Sequence, residues 1–325
     1  MELILTLDVG TTSVKACLFD RQLRQTALTS REYALQTRGV CAEVEAQVYL
    51  DAAAQCILAL PAEARAKVCA VALTTQGETL LCVDRQGKAL RPAIVWLDSR
   101  AEAQAARLAA ALDRQRFYEC TGLPELSGAL PLAKLLWLRE QEPESWAQTD
   151  KFLLLEDYLM LWLTGRAVTE KSLLTSTGYF DLQSDDYWDE ALALAELDRT
   201  CLPQALACGS IVGPVLPEVA EALGLPASAC VVTGAMDQTA AALAAGCTRP
   251  GTLCETTGTA MVAAAFTAHP QFSEDHHVTI YRHAMPGAYL YLPISNTIGM
   301  SLRWFRDEFC RDLDGGYAAL DRLAE

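Results

Sequence analysis

The segment Leu5-Thr6-Leu7-Asp8-Val9-Gly10-Thr11-Thr12-Ser13-Val14-Lys15-Ala16-Cys17-Leu18-Phe19-Asp20 runs an apolar strand into a tight turn, and a second apolar strand leaves at once. Gly10 lets the backbone turn sharply and approach a ligand closely. The turn amides and the Thr11 and Thr12 hydroxyls can then face an anion, as in other backbone anion nests. Asp8 ends the first strand on the same side, where a carboxylate joined by phosphate oxygens suits Mg²⁺. An ordinary hairpin with an Asp beside its turn has the same sequence, so this segment alone leaves both readings open.

Working outward, residues 3–8, 13–20 and 24–34 read as three short strands. Residues 47–60 have helical spacing, and Val68 to Thr74 reads as a buried strand. Glu78 to Asp84 is a further strand closed by the turn Asp84-Arg-Gln-Gly87, and Ala93 to Trp96 is the next. Ser99 to Leu112 reads as an alanine-rich helix with Ser99 as its cap. The pattern predicts an α/β fold built on one mixed central sheet. The stretch 113–210 is mostly helical, with faces over Leu132 to Glu140, Phe152 to Leu163 and Tyr187 to Leu197. Cys230 to Thr233 reads as a strand, Gly234-Ala-Met as a turn, and Asp237 to Gly246 as a helix ended by glycine. A domain boundary is expected near 247–252, dividing the chain into 1–247 and 248–325.

At 325 residues, 51% of them hydrophobic and 21% charged, the chain has the composition of a globular protein of up to two domains. A formal charge of −15 argues against nucleic acid and against an anionic membrane surface as partners. The 12 cysteines form no C-x-x-C pair, and several sit in apolar runs, so a reduced, cytoplasmic setting is expected. His276-His277 reads as a solvated loop rather than a metal site.

Two more segments carry chemistry. Asp237 opens a helix directly after a buried strand. A helix cap is the bland explanation; the alternative is a carboxylate held beyond the strand ends, where ligands sit in α/β sheets. There it could accept a hydroxyl proton. Glu255-Thr-Thr257-Gly258-Thr259 repeats the glycine-between-threonines pattern, giving a second phosphate cradle. No Walker sequence and no G-x-G-x-x-G occurs, which excludes P-loop and Rossmann enzymes.

In order and spacing these sites resemble the FGGY family of carbohydrate kinases, within the actin/hexokinase/Hsp70 superfamily. The likeness rests on Asp8-Val-Gly-Thr-Thr12, Thr75-Gln-Gly-Glu-Thr79, Trp96-Leu-Asp98-Ser-Arg100, Thr121-Gly-Leu-Pro124, Asp157-Tyr158 and Gly234-Ala-Met-Asp237. Thr257-Gly-Thr259 and Ser301-Leu-Arg-Trp-Phe-Arg-Asp307 continue it.

The resemblance implies an RNase H-like sugar-binding domain followed by the start of a similar nucleotide-side domain, together transferring a phosphoryl group from ATP to a sugar or polyol. It implies Asp237 as catalytic base and Asp8 as the Mg²⁺ acid. Gly10, Thr11, Thr12, Thr257, Gly258 and Thr259 would contact phosphate. Gln76, Glu78, Trp96, Asp98 and Arg100 would bind the substrate.

Glycerol kinases carry Arg where this chain has Gly77, and aromatic residues where Ala129 and Val262 align. Xylulokinases show Met-His where this chain has Thr75-Gln76. A ketopentose such as xylulose is the expected substrate. Family members continue past residue 325 with a glycine-rich loop that holds adenosine. A catalytically silent sugar-binding fragment is therefore the alternative expectation, and a homodimer stays open.

Overall fold

Leu3, Leu5, Leu7 and Val9 are buried and alternate with half-buried Ile4, Thr6 and Asp8. This period of two marks a strand with one face packed on the core and the other against a second layer. In the computed structural model, which describes residues 2–257, 261–273, 278–295, 298–311 and 316–324, that strand lies inside a mixed sheet of six. The spatial order is Ile211–Pro214, Cys230–Met236, Val68–Thr75, Leu3–Val9, Ser13–Phe19, Gln25–Glu32. Leu3–Val9, Val68–Thr75 and Cys230–Met236 run parallel to one another, and the other three strands pair antiparallel.

The helices Ala46–Ala59 and Leu155–Thr164 bury Tyr49, Ala53, Ile57, Leu159 and Leu163 in the same apolar core as the buried residues of Leu3–Val9. Gly165, at φ +71°, ends the second of them in the left-handed conformation that glycine adopts without strain.

Among the described residues the chain also forms two five-stranded antiparallel sheets, so the fold holds more than the one central sheet expected. The first joins Gln36–Arg38, Cys41–Val44, Ala93–Ile94, Leu80–Val83 and Lys151–Leu154. The second joins Leu253–Thr257, Met261–Thr267, Tyr289–Tyr291 and Ile280–Arg282, with Ile294–Ser295 on Met261–Thr267. This second sheet starts just past the expected boundary. Its Ala264, Ile280, Leu290 and Leu292 nonetheless share an apolar core with Phe117, Leu132 and Met236.

Gly122 makes that junction close. It ends the helix Arg114–Thr121 at φ +74°, its carbonyl accepts the Ile280 amide at 2.8 Å, and a Cβ there would lie 2.3 Å from the Ile280 oxygen. Tyr118 adds a hydroxyl bond to the Val278 carbonyl at 2.8 Å.

Several local expectations change. Ser99 caps nothing: the helix is Glu102–Ala111 with Ala101 as its N-cap. Residues 152–154 belong to the strand Lys151–Leu154, because their backbone pairs with Leu80–Val83 before the helix starts. The third middle helix is only Asp189–Leu194, its expected first residue being taken by the short hairpin strand Asp186–Tyr187. Gly234-Ala-Met is not a turn but the end of the strand Cys230–Met236. All twelve cysteines are free, and among the described residues no helix is long and apolar enough to cross a membrane. His276 and His277 lie outside the described residues.

Candidate active site

The three parallel strands end together. Asp8 stands opposite Thr74, Val9 opposite Thr75, and Thr75 opposite Met236, so Asp8, Gln76 and Asp237 emerge side by side at the carboxyl edge. Crevices of α/β sheets open at this edge.

Asp237 is the first residue of the helix Asp237–Ala244, with Met236 as N-cap, so the cap role weighed for it is not the one seen. Its Oδ1 accepts the adjacent Gln238 amide at 2.6 Å. Burial, and after it repulsion from Asp8, pushes the Asp237 carboxyl up to about 6. Two carboxylates that repel across a cleft favour a cation or a proton between them.

The opening hairpin is braced from outside. The Gly10 amide donates to the Ser13 carbonyl at 3.0 Å, and Tyr33 bonds the Gly10 carbonyl through its hydroxyl and the Thr12 carbonyl through its amide. Lys15 stands 3.5 Å from Asp8, placing a cation beside the hairpin. The Trp96 indole N–H donates to Thr11 Oγ1 at 2.9 Å, so the aromatic side chain rests against the hairpin.

Glu78 follows in a strained loop: its φ is +53°, a region that residues other than glycine rarely occupy. The fully buried Lys134 holds it. Its Nζ donates to the Glu78 carbonyl at 3.2 Å and to the Val95 carbonyl at 3.0 Å, tying the Gln76–Thr79 loop to the Trp96 loop. Burial pushes the Glu78 carboxyl up and the Lys134 ammonium down, each moderated by attraction to the other. The Ser176 and Tyr281 hydroxyls stand close enough to the Glu78 carboxyl to act on its charge, and Asp237 repels it. Tyr281 comes from Ile280–Arg282, so the later sheet supplies a side chain to the site.

The side chains of Gln76, Asp98 and Arg100 already make contacts within the protein. The Gln76 amide reaches inward to the Tyr49 hydroxyl at 3.4 Å, while its Oε1 is buried without a partner among the described residues. Asp98 is fully buried. Burial alone would raise its carboxyl, but hydrogen bonds from Arg100 and the Ala42 amide hold it below the usual carboxylate range. Arg100 also pairs with Glu43 at 2.7 Å and stacks over Trp137 at 4.9 Å. Asp98 and Arg100 thus pin the base of the Trp96 loop. Gly258 and Thr259 lie outside the described residues, and Thr257 is placed only as the last residue of its strand.

Asp98→Asn is accordingly expected to cost about 3 kcal/mol of folding stability, the low end for breaking a buried ion pair, because Glu43 still faces Arg100. Urea unfolding measures this. A variant of wild-type stability that has lost sugar affinity would instead make Asp98 a substrate contact.

Lys134, Lys15, Ser176 and Tyr281 were not singled out from the sequence. Lys134 had a signal: one charge inside the apolar run Leu132-Ala-Lys-Leu-Leu-Trp-Leu138.

The model of the FGGY family of carbohydrate kinases, N-terminal domain, matches residues 3–244. The chain belongs to the FGGY family of carbohydrate kinases. The xylulose kinase of Lactococcus lactis is 30% identical over 96% of the chain and 63% of that protein. The gluconokinase of Bacillus subtilis is 27% identical over 94% of the chain and 60% of that protein. The crystal structure of xylulose kinase from Rhodospirillum rubrum superposes with a TM-score of 0.91 at 28% identity, covering 99% of this chain and 66% of that one. The chain therefore spans about three-fifths of the length of the curated FGGY relatives it matches.

Proposed function

We propose that this chain carries the sugar site and the proton acceptor of an ATP-dependent carbohydrate kinase, with a ketopentose such as xylulose as the first substrate to test. The observation that carries the reading is the grouping of Asp8, Glu78 and Asp237 at one edge of the parallel strands. The similarity to a xylulose kinase supports the ketopentose. Residues 1–247 form the sugar side and 248–325 the start of the nucleotide side, with Tyr281 reaching back to Glu78.

In this mechanism Glu78 binds substrate hydroxyls, and the Trp96 ring offers its face to C–H surface. Asp237 accepts the proton of the reacting hydroxyl as its oxygen forms a bond to the γ-phosphorus. The bond from the γ-phosphorus to its bridging oxygen breaks, and ADP leaves with that electron pair. A loose transition state of this kind asks the protein mainly for positioning and charge stabilisation, so a carboxylate is base enough. The Gly10–Thr12 hairpin and Lys15 face the transferred phosphoryl group. The oxygen donors present fit Mg²⁺: Asp8 would hold it with phosphate oxygens, and the ion would neutralise developing charge on phosphate.

The test is ADP release by the 325-residue chain with Mg²⁺-ATP and a panel of pentuloses, hexuloses, polyols and aldonates. Release with one sugar supports the kinase reading and names the substrate. A folded chain whose melting temperature rises with sugar but which releases no ADP would overturn it in favour of a sugar-binding module.

A further inference from the structure

The strand that delivers Asp237 is irregular where it matters. Val232 pairs with Ala72 and Ala235 with Thr74, so Thr233 and Gly234 together stand opposite Leu73. One extra residue breaks the ladder locally and re-aims the chain beyond it. Thr233 bonds the Ser210 carbonyl and the Gly209 amide through its backbone, and side chains take up the groups that follow. The Gly234 amide donates to Glu156 Oε1 at 3.0 Å, the Ala235 carbonyl accepts from Thr74 Oγ1 at 2.7 Å, and the Met236 amide donates to Ser172 Oγ at 3.1 Å. The Ser172 hydroxyl donates in turn to Glu170 Oε2, which also accepts the Ser172 and Leu173 amides at 2.8 and 3.1 Å. Glu156, Ser172 and Glu170 are all buried, at 0%, 0% and 1% exposure.

Burying carboxyls is costly unless hydrogen bonds offset the lost water, and the bonds of these acids go to Ser172, Leu173 and Gly234. Hydrogen bonds from Gly234 and Met236 bracket the last residues before Asp237, leaving the Asp237 backbone little freedom. We propose that Glu156, and Glu170 acting through Ser172, are positioning residues that fix Asp237 by clamping the bulge at Gly234 and Met236. The proposal rests on the reading of Asp237 as proton acceptor. Burial and repulsion from Glu170 push the Glu156 carboxyl well above its ordinary range, and what the Gly234 amide takes from it is one acceptor oxygen, Oε1. A glutamine carbonyl can take its place; a leucine cannot.

The experiment reads the Asp237 carboxyl directly, by ¹³C NMR titration of the full chain, with Asp237→Asn to assign the signal. The groups facing it are Asp8, Glu78 and Tyr281, none of which the variants touch. Glu156→Gln is expected to keep the wild-type midpoint. Ser172→Ala and Glu156→Leu are expected to lower it by about one unit toward the ordinary aspartate value as water reaches a displaced carboxylate. In the ADP-release assay the same two variants should lose about tenfold in kcat at unchanged sugar KM. If Glu156→Leu does not fold, Ser172→Ala and Glu170→Gln carry the comparison. Folded variants with the wild-type midpoint would overturn the proposal. A wild-type chain that releases no ADP would sink the kinase reading, while the titration still decides this one.

Discussion

Asp237→Asn is expected to lower phosphoryl transfer by about 10²- to 10⁴-fold, the usual range for losing a positioned general base, while sugar affinity stays near wild type. The asparagine is isosteric and can still accept the Gln238 amide, so the helix start should persist. The same residue sets a pH limit. Burial and the neighbouring Asp8 push its carboxyl up to about 6, and only the ionised form can take a proton. kcat/KM should therefore fall about tenfold per pH unit below that value and level off above it. Mg²⁺ on Asp8 would remove the repulsion and move the limb to lower pH. Turnover of the variant within about threefold of wild type would leave Asp237 a structural helix start.

Gly234→Ala should be the most damaging small substitution in the fold. A Cβ at this position would stand 1.4 Å from the Leu73 carbonyl oxygen and 2.5 Å from its carbon. Both are backbone atoms of the neighbouring central strand, so no rotamer change relieves the contact and the strands must separate. The cost should exceed the ~3 kcal/mol upper end of ordinary overpacking, equivalent to a melting temperature lower by about 10 °C or to insolubility. Gly77→Ala is the control. Its Cβ would meet the Ser176 hydroxyl at 3.1 Å and the Met236 sulfur at 3.3 Å, and both are side-chain atoms that can move. Equal stability of the two variants in a thermal melt would show that the bulge tolerates a side chain.

The parallel strands were legible as short apolar runs, two of them followed to Asp8 and Thr74, one residue short of their ends, but the third was read only to Thr233, three residues short of its end at Met236. Hidden from the sequence was whatever depended on a distant chain segment. Gly234 looked like a turn because glycine often is one, and only the approach of Leu73 shows why it must be glycine here. Nothing local to Asp98 and Arg100 reveals that Ala42 and Glu43 come to meet them. Tyr281 lies more than two hundred residues from Glu78 in sequence and reaches it only through the Gly122–Ile280 junction. Residues 152–154 kept a helical pattern, yet pairing with Leu80–Val83 overrode it, as tertiary context commonly overrides propensity.

The buried acids beneath the central sheet also make folding a proton-binding event. Burial pushes Asp157 up to about 8 and Glu170 to about 7, and Glu156 stands well above its ordinary range. Glu78 and Asp237 shift the same way, while His283 and Lys134 shift downward and oppose them. A carboxyl raised in the folded state stabilises it fully at low pH and loses that contribution as pH climbs through the folded value. The five raised carboxyls outnumber His283 and Lys134, so between about pH 5 and pH 8 the melting temperature should fall as the solution becomes more alkaline. Unfolding near neutrality should release protons, and the apparent calorimetric enthalpy should differ between buffers of low and high ionisation heat. The formal charge of −15 counts these carboxyls as ionised. The native molecule should therefore migrate as a less acidic particle than its composition suggests, and than its own unfolded chain.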